Sequence, residues 1–309
     1  MNLLRDLDRL PERFQGGAVS IGNFDGVHRG HALLIERLVA RAREVGGPAV
    51  VFTFDPHSAR LLRPDKAPTP LCWTQRKAEL LAELGADAVV AYPTDEALLL
   101  LEPGEFFQRI VRARLSARAM VEGSNFFFGR GRKGTIDVLR RLCAEARMPL
   151  EVVQPVEIDG QSVSSSRVRA SVSAGRMDEA RRLLTRPYRI RGVAVAGSRR
   201  GSGLGFPTAN LAEIDTLLPA EGIYAGRGWL ETTPYPAAIS VGPNPTFDEG
   251  ALKVEVYLLD YDGGPLYGRT LDVDFLSRLR DIRQFESAEQ LVVQMAEDVA
   301  QSRRIAQEA

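Results

Sequence analysis

His28 and His31 stand three residues apart in Asn23-Phe-Asp-Gly-Val-His-Arg-Gly-His, between an apolar run, Ala18 to Gly22, and a helical pattern, Gly30 to Val45. That spacing puts both imidazoles on one face of a first helical turn. Backbone amides left unpaired at a helix N-terminus favour anions, and imidazoles beside them can donate to the charge that builds on a phosphoryl group under attack. The chemistry indicated is nucleotidyl transfer. A capping or core pair and a zinc pair are the alternatives, although no third ligand follows for zinc.

A second stretch, Gly197 to Asn210, is rich in glycine and ends in Pro207-Thr208-Ala209-Asn210. In extended backbone Thr208 and Asn210 point to one face, where a hydroxyl and an amide oxygen can ligate Mg²⁺. The glycines let backbone amides approach phosphates. Arg130 and Arg132, in GRGRKG, are either a phosphate clamp or a solvated loop.

These residues must be positioned by two kinds of element. Up to about Pro155, short apolar runs (Ala18 to Gly22, Pro48 to Phe54, Ala86 to Tyr92, Arg118 to Glu122, Leu150 to Val156) alternate with amphipathic stretches (Gly30 to Val45, Thr74 to Leu84, Gly104 to Leu115, Thr135 to Ala146). Buried strands alternating with helices predict a parallel, doubly wound sheet with ligands at the carboxyl ends of its strands. Ser173 to Leu184 reads as one further helix. After Thr185-Arg-Pro the texture changes to strands broken by Gly and Pro: Tyr188 to Ala196, Gly222 to Leu230, Pro236 to Val241, Leu252 to Asp260 and Thr270 to Phe275. A helix from Ser287 to Ala306 closes this half, and the whole suggests a small β-barrel. Two domains are expected, 1–184 and 185–309, as 309 residues allow.

From His28 and its neighbours outward, the chain resembles the bifunctional riboflavin kinase/FMN adenylyltransferases, the bacterial FAD synthetases. Ser20-Ile-Gly22-Asn-Phe24-Asp25-Gly-Val-His28-Arg-Gly30-His31 is similar to their opening signature, Phe52-Thr-Phe54-Asp55-Pro-His57 to their second strand, and Glu122-Gly-Ser-Asn125-Phe-Phe-Phe-Gly129 to their flavin-side loop. Val163 to Arg169 resembles their second nucleotide motif, with Ser166 where Thr is usual. The likeness implies an α/β Rossmann-like nucleotidyltransferase domain followed by an all-β riboflavin kinase-like barrel with a C-terminal helix. It also implies that His28, His31, Gly22, Phe24, Asp25 and Gly30 serve ATP and its phosphates. Ser164, Ser165, Ser166 and Arg167 would hold the triphosphate, Asn125 would place substrate, and Phe54 and Asp55 would meet flavin.

In the second half, Gly197 to Asn210 resembles the kinase nucleotide loop, so Gly197, Arg200, Gly205, Pro207, Thr208 and Asn210 would bind Mg·ATP. Ser202 replaces a common arginine there. By the same likeness Glu255 is the catalytic base; a surface glutamate in an ion pair is the plain alternative, and Asp260 and Asp262 lie nearby. Gly222-Ile-Tyr224, Val241 to Phe247 and Leu266 to Gly268 match further kinase segments. Arg278 to Phe285 resembles a flavin-side loop in which Arg280 contacts flavin or product phosphate. Ser240, Tyr257 and Ile282 stand where Asn, His and Glu are usual. Riboflavin, FMN, FAD and ATP/ADP are the implied small molecules, with Mg²⁺ as cofactor.

A formal net charge of +0 and a pI near 6.9 give no broad field for nucleic acid. This and four scattered lysines disfavour the rival reading, an aminoacyl-tRNA synthetase-like protein. A non-catalytic flavin-binding module would lack Glu255, Thr208 or Asn210, and all are present. The two cysteines form no CxxC pair, and no apolar run is long enough to cross a bilayer, so a cytoplasmic protein working away from membranes is expected. The oligomeric state is not encoded legibly.

Overall fold

The computed structural model describes residues 1–57, 59–62, 64–196, 205–244 and 249–308. Contacts divide the chain into two compact units, Met1–Pro68 with Trp73–Ser164, and Thr69–Cys72 with Ser165–Ala309.

The first unit is built on a parallel sheet of β1 (Leu3–Leu4), β2 (Ala18–Ile21), β3 (Ala49–Asp55), β4 (Ala88–Pro93), β5 (Ala119–Gly123) and β6 (Leu150–Val153), in the order β1-β4-β3-β2-β5-β6. The order reverses at β2, which pairs with β3 on one side and β5 on the other. Ligands of such sheets gather where the order reverses, at the carboxyl ends of the strands. The helices are α1 (Arg29–Val45), α2 (Ala59–Leu62), α3 (Thr74–Glu83), α4 (Glu96–Leu100), α5 (Pro103–Phe106) and α6 (Ile136–Glu145). Each sheet face carries its own core. Val19, Ile21, Val50, Phe52 and Met120 pack with Phe106, Phe107 and Leu139. Ala18, Val51 and Val121 pack with Ile35 and Leu38 of α1 and Leu81 of α3.

Most expected elements of this half are present, with three differences. The helix expected over 104–115 is α5 running into a π-helical segment, Phe107–Arg114. Leu3–Leu4 adds an edge strand too short to show a period. Beyond β6, Glu157–Ile158 (β7) and Gln161–Ser162 (β8) form a small hairpin, so the run to Val156 is not one strand.

The helix expected from Ser173 to Leu184 is α8 (Met177–Leu183), preceded by an unexpected helix, α7 (Ser165–Ser173), and both are in the second unit. Gly175, at φ +69°, breaks them by adopting a left-handed conformation that few other residues tolerate. The compact units therefore part at Ser164 and Ser165, whereas the sequence texture changes at 184 and 185.

The barrel is closed in the order β10-β13-β12-β11-β14-β9, all antiparallel. Its strands are β9 (Tyr188–Val195), β10 (Ala209–Ala212), β11 (Gly222–Leu230), β12 (Thr233–Asn244), β13 (Glu249–Leu258) and β14 (Thr270–Arg280). Ile190, Ala194, Leu211, Ile239, Val241, Val254, Val256 and Val273 fill the interior, and the alternate residues face outward. The last helix, α9 (Ala288–Glu308), packs on β11, β12 and β14. It buries Asp298, Ser302 and Ala306, four residues apart on one face.

Candidate active sites

In the first unit the chain leaves β2 at Ile21 and turns through Phe24 (φ +48°), Gly26 (φ +79°) and Val27 (φ +41°) before α1 begins. Two non-glycine residues in that region within four positions are unusual, and such backbone concentrates at functional turns. Phe24, Asp25 and Val27 are buried and fix the turn against the sheet. Gly22 donates its N–H to the Phe52 carbonyl at 3.0 Å, so the turn starts from a paired strand end.

His28 is the N-cap of α1: its Nδ1 accepts the His31 N–H at 3.3 Å. The two rings stack with centroids 3.6 Å apart and 15° between planes. Phe24 lies against His31 at 5.1 Å. Gly30 leaves the stack unpressed, since a Cβ there would stand 3.1 Å from the His28 ring.

Burial holds the His28 imidazole down to about 4, outweighing its backbone hydrogen bond. Burial foremost, then His28 and then Lys77, holds His31 well below its ordinary value. Both are neutral at pH 7. Because His28 Nδ1 is an acceptor, its proton sits on Nε2, which leaves a neutral donor at the start of α1. Capping and donation are thus done by opposite edges of one ring.

Asn125 is exposed just beyond β5, its Oδ1 near Gly123. Phe54 is half-buried at the end of β3, edge-on to Phe52 at 5.5 Å, and Asp55 pairs with Arg5 at 2.7 Å. Ser164 closes the first unit, while Ser165, Ser166 and Arg167 open α7 in the second, where Arg167 lies 3.6 Å from Glu179. Arg130 pairs weakly with Glu102 at 3.9 Å, and Arg132 stacks on exposed Phe127 at 4.5 Å.

Near the histidine turn, two buried ionisable groups were given no role by the sequence reading. Lys77 on α3 is 7% exposed and donates to Thr53 Oγ1 at 3.4 Å. Its signal was available: Lys77 shares an apolar stripe with Leu80, Leu81 and Leu84, where a lysine is out of place. Glu122 on β5 is buried and accepts the Ile21 N–H at 2.7 Å. Burial pushes its carboxyl well above the ordinary range, against the smaller effect of that hydrogen bond.

In the second unit the register decides the site. On β13, Glu255 lies directly opposite Asn210 of β10 and Ser240 of β12. All three face outward from the barrel, between the inward residues Val254, Val256, Leu211, Ile239 and Val241. Thr208 is half-buried just before β10, with Gly205 and Pro207 exposed. Phe206 meets Tyr257 edge-on at 5.7 Å. A carboxylate and an amide oxygen on neighbouring strands, with the Ser240 hydroxyl beside the carboxylate and Thr208 just before β10, form an oxygen-rich set that suits a hard cation and a hydroxyl nucleophile.

Gly197, Arg200, Ser202, Thr246 and Phe247 lie outside the described residues. The loop expected over 278–285 begins later, because Arg278 and Arg280 belong to β14. Arg280 opposes Ile223, which opposes Ser240, so it lies in the transverse row that leads to Glu255. Its guanidinium is held by Asp298 of α9, at 3.0 Å through Nε and 2.7 Å through Nη2. No group of histidine, cysteine and acidic residues among the described residues has metal-site geometry.

A family model described as FAD synthetase matches residues 10–167, and one described as riboflavin kinase matches residues 184–306. A bifunctional riboflavin kinase/FMN adenylyltransferase of Pseudomonas fluorescens is 36% identical over 99% of this chain and 98% of its own length. Its counterpart in Escherichia coli K12 is 33% identical over 96% of each chain. A crystal structure from Streptococcus pneumoniae, described as a macrolide-efflux protein, superposes with a TM-score of 0.85 at 29% identity, over 97% of this chain and 98% of that one. Among the described residues no helix is long and apolar enough to cross a membrane.

Proposed function

The chain belongs to the bifunctional riboflavin kinase/FMN adenylyltransferase family, and from that premise we propose which residues perform its two reactions. It phosphorylates riboflavin with ATP to give FMN, and it adenylates FMN with a second ATP to give FAD and pyrophosphate. ATP is a substrate of both steps. The observation that carries the assignment is the pairing of Asn210 with Glu255 across β10 and β13, in a unit separate from the stacked His28 and His31.

In the adenylyl transfer a phosphate oxygen of FMN attacks the α-phosphorus of ATP, and pyrophosphate leaves. That nucleophile is already ionised at neutral pH, so positioning and charge stabilisation suffice. Two neutral imidazoles at the head of α1 supply donors without acting as bases. Ser164, Ser165, Ser166 and Arg167 are proposed as the second phosphate-holding segment on their motif likeness. Asn125, Phe54 and Asp55 are proposed on the flavin side.

In the kinase step the 5′-hydroxyl of the ribityl chain must lose its proton as it attacks the γ-phosphorus. Glu255 takes that proton, and Ser240 beside it is placed to orient the hydroxyl. Thr208 and Asn210 present the oxygen donors that Mg²⁺ prefers, and they are the residues that would hold it. When bound, the ion neutralises charge on the phosphates of ATP. Arg280, in the same strand row, is proposed for flavin or product phosphate. The functional division is placed near 184 and 185, where the kinase family match begins. Neutral net charge and two cysteines that form no disulfide support work in the cytoplasm.

The test is a product assay of the full chain with ATP and Mg²⁺, started separately from riboflavin and from FMN. Riboflavin should give FMN and then FAD, and FMN should give FAD directly. Riboflavin left unchanged would defeat the kinase assignment, and FMN left unchanged the other.

A further inference from the structure

Lys77 is the one lysine of the chain that the fold buries, and it lies on the sheet face that also carries α1. An ammonium in an apolar layer is costly unless it is hydrogen-bonded and its charge is used. Its route to the histidine turn is short. The Nζ donates to Thr53 Oγ1 at 3.4 Å, and that hydroxyl donates to the Asn23 carbonyl at 3.2 Å, inside the turn that leads to His28. Three polar atoms at the same strand end, Ser20 Oγ, Asn23 Oδ1 and His31 Nδ1, are enclosed without a hydrogen-bond partner.

The state of His31 Nδ1 matters most. In a neutral imidazole one nitrogen carries the proton, and the surroundings of the other decide which. A proton on Nδ1 would point a donor into an enclosed space near a positive charge. A lone pair there is favoured by that charge, and it leaves the proton on Nε2.

We propose that Lys77 is a positioning residue for adenylyl transfer: through Thr53 it braces the Asn23 to His31 turn, and it selects the Nε2–H form of His31. The proposal rests on the reading of His31 as a phosphate donor. With Nε2–H on both stacked rings, each carries one neutral donor. Without Lys77 the second ring loses its preference and half of the pair is misdirected.

The chain has only three histidines, so ¹⁵N-histidine labelling of the full protein resolves each ring, with His57→Asn assigning the third. At pH 7 wild type should show His31 protonated on Nε2. Lys77→Met should shift His31 toward the Nδ1–H form and lower kcat for FAD formation from FMN about ten- to a hundredfold. KM for ATP should change little, and FMN formation from riboflavin should stay at the wild-type rate. Lys77→Arg should restore both signal and rate in part.

An unchanged His31 tautomer, or an unchanged FAD rate, in Lys77→Met overturns the proposal, as does a rise in KM at constant kcat. If Lys77→Met also loses FMN formation, its fold has failed, and Thr53→Val decides instead by the same tautomer and rate criteria. His31→Ala separates the two levels of the claim. FAD formation intact in His31→Ala removes the donor reading itself, whereas an inactive His31→Ala beside an active Lys77→Met removes only the role of Lys77.

Discussion

The two candidate sites handle phosphate with opposite means. The first lies at a strand-to-helix turn on a parallel sheet, where the start of α1 and two neutral imidazoles are proposed to stabilise charge. The second lies on the outer face of an antiparallel barrel, where Ser240, Glu255 and Asn210 stand side by side on three strands. What separates them is the acceptor. An ionised phosphate needs no base, and a hydroxyl does, so the second site calls for a carboxylate as base where the first calls for donors. The elements follow the same division: a helix end presents N–H groups, whereas neighbouring strands bring together residues distant in sequence.

The contrast can be broken most sharply at Glu255. Glu255→Gln should slow FMN formation about a thousandfold and leave FAD formation from added FMN intact, as chromatography of products will show. Next in size, His31→Ala should slow FAD formation about a hundredfold while FMN formation continues. Equal loss of both activities in either variant would mean that the sites are not chemically distinct.

Stability against pH sharpens the comparison further, because among the described residues the strongly perturbed histidines and glutamate lie at or beside the first site. The Glu122 carboxyl is raised, so above its ordinary value of 4.5 the unfolded chain releases a proton that the folded chain keeps. Stability then falls as pH rises, by about 1.4 kcal/mol per pH unit, until the folded group itself ionises. Glu122→Gln keeps the acceptor for the Ile21 N–H and should remove this slope in denaturant titrations at pH 5 to 7, within about 1 kcal/mol. His28 acts in the opposite sense over an overlapping window, so the Glu122 contribution is read as the difference in slope between wild type and Glu122→Gln. The His28 imidazole is lowered from 6.5 to about 4, so stability is lost as pH falls through that window. The smallest effect is expected at Gly30. Gly30→Ala presses a methyl on the His28 ring and should slow FAD formation only about threefold to tenfold, because the ring can yield by a few tenths of an ångström.

The sequence carried the parallel sheet well, because strands buried on both faces write continuous apolar runs such as Val50-Val51-Phe52. The barrel was harder. Ala209–Ala212 is too short to show alternation, and its place as a strand is set by partners on β9 and β13 far along the chain. The same non-local pairing extends β14 to Arg280, in a stretch whose charges read as a loop. The helix pair around Gly175 was hidden because one glycine in an amphipathic pattern does not announce its φ.

For the sites, local motifs named His28, His31, Thr208, Asn210 and Glu255 as candidates. The facing of Asn210 and Glu255 was not readable, since register is a property of the folded sheet. Lys77 and Glu122 were passed over because single charged residues inside apolar stretches look like surface positions until burial is known.

The most direct test of the two-site account is the rate of FAD formation by Glu255→Gln when FMN is supplied, set against its FMN formation from riboflavin. A wild-type rate for the first beside a near-complete loss of the second is the predicted result. Loss of both, or of neither, would contradict it.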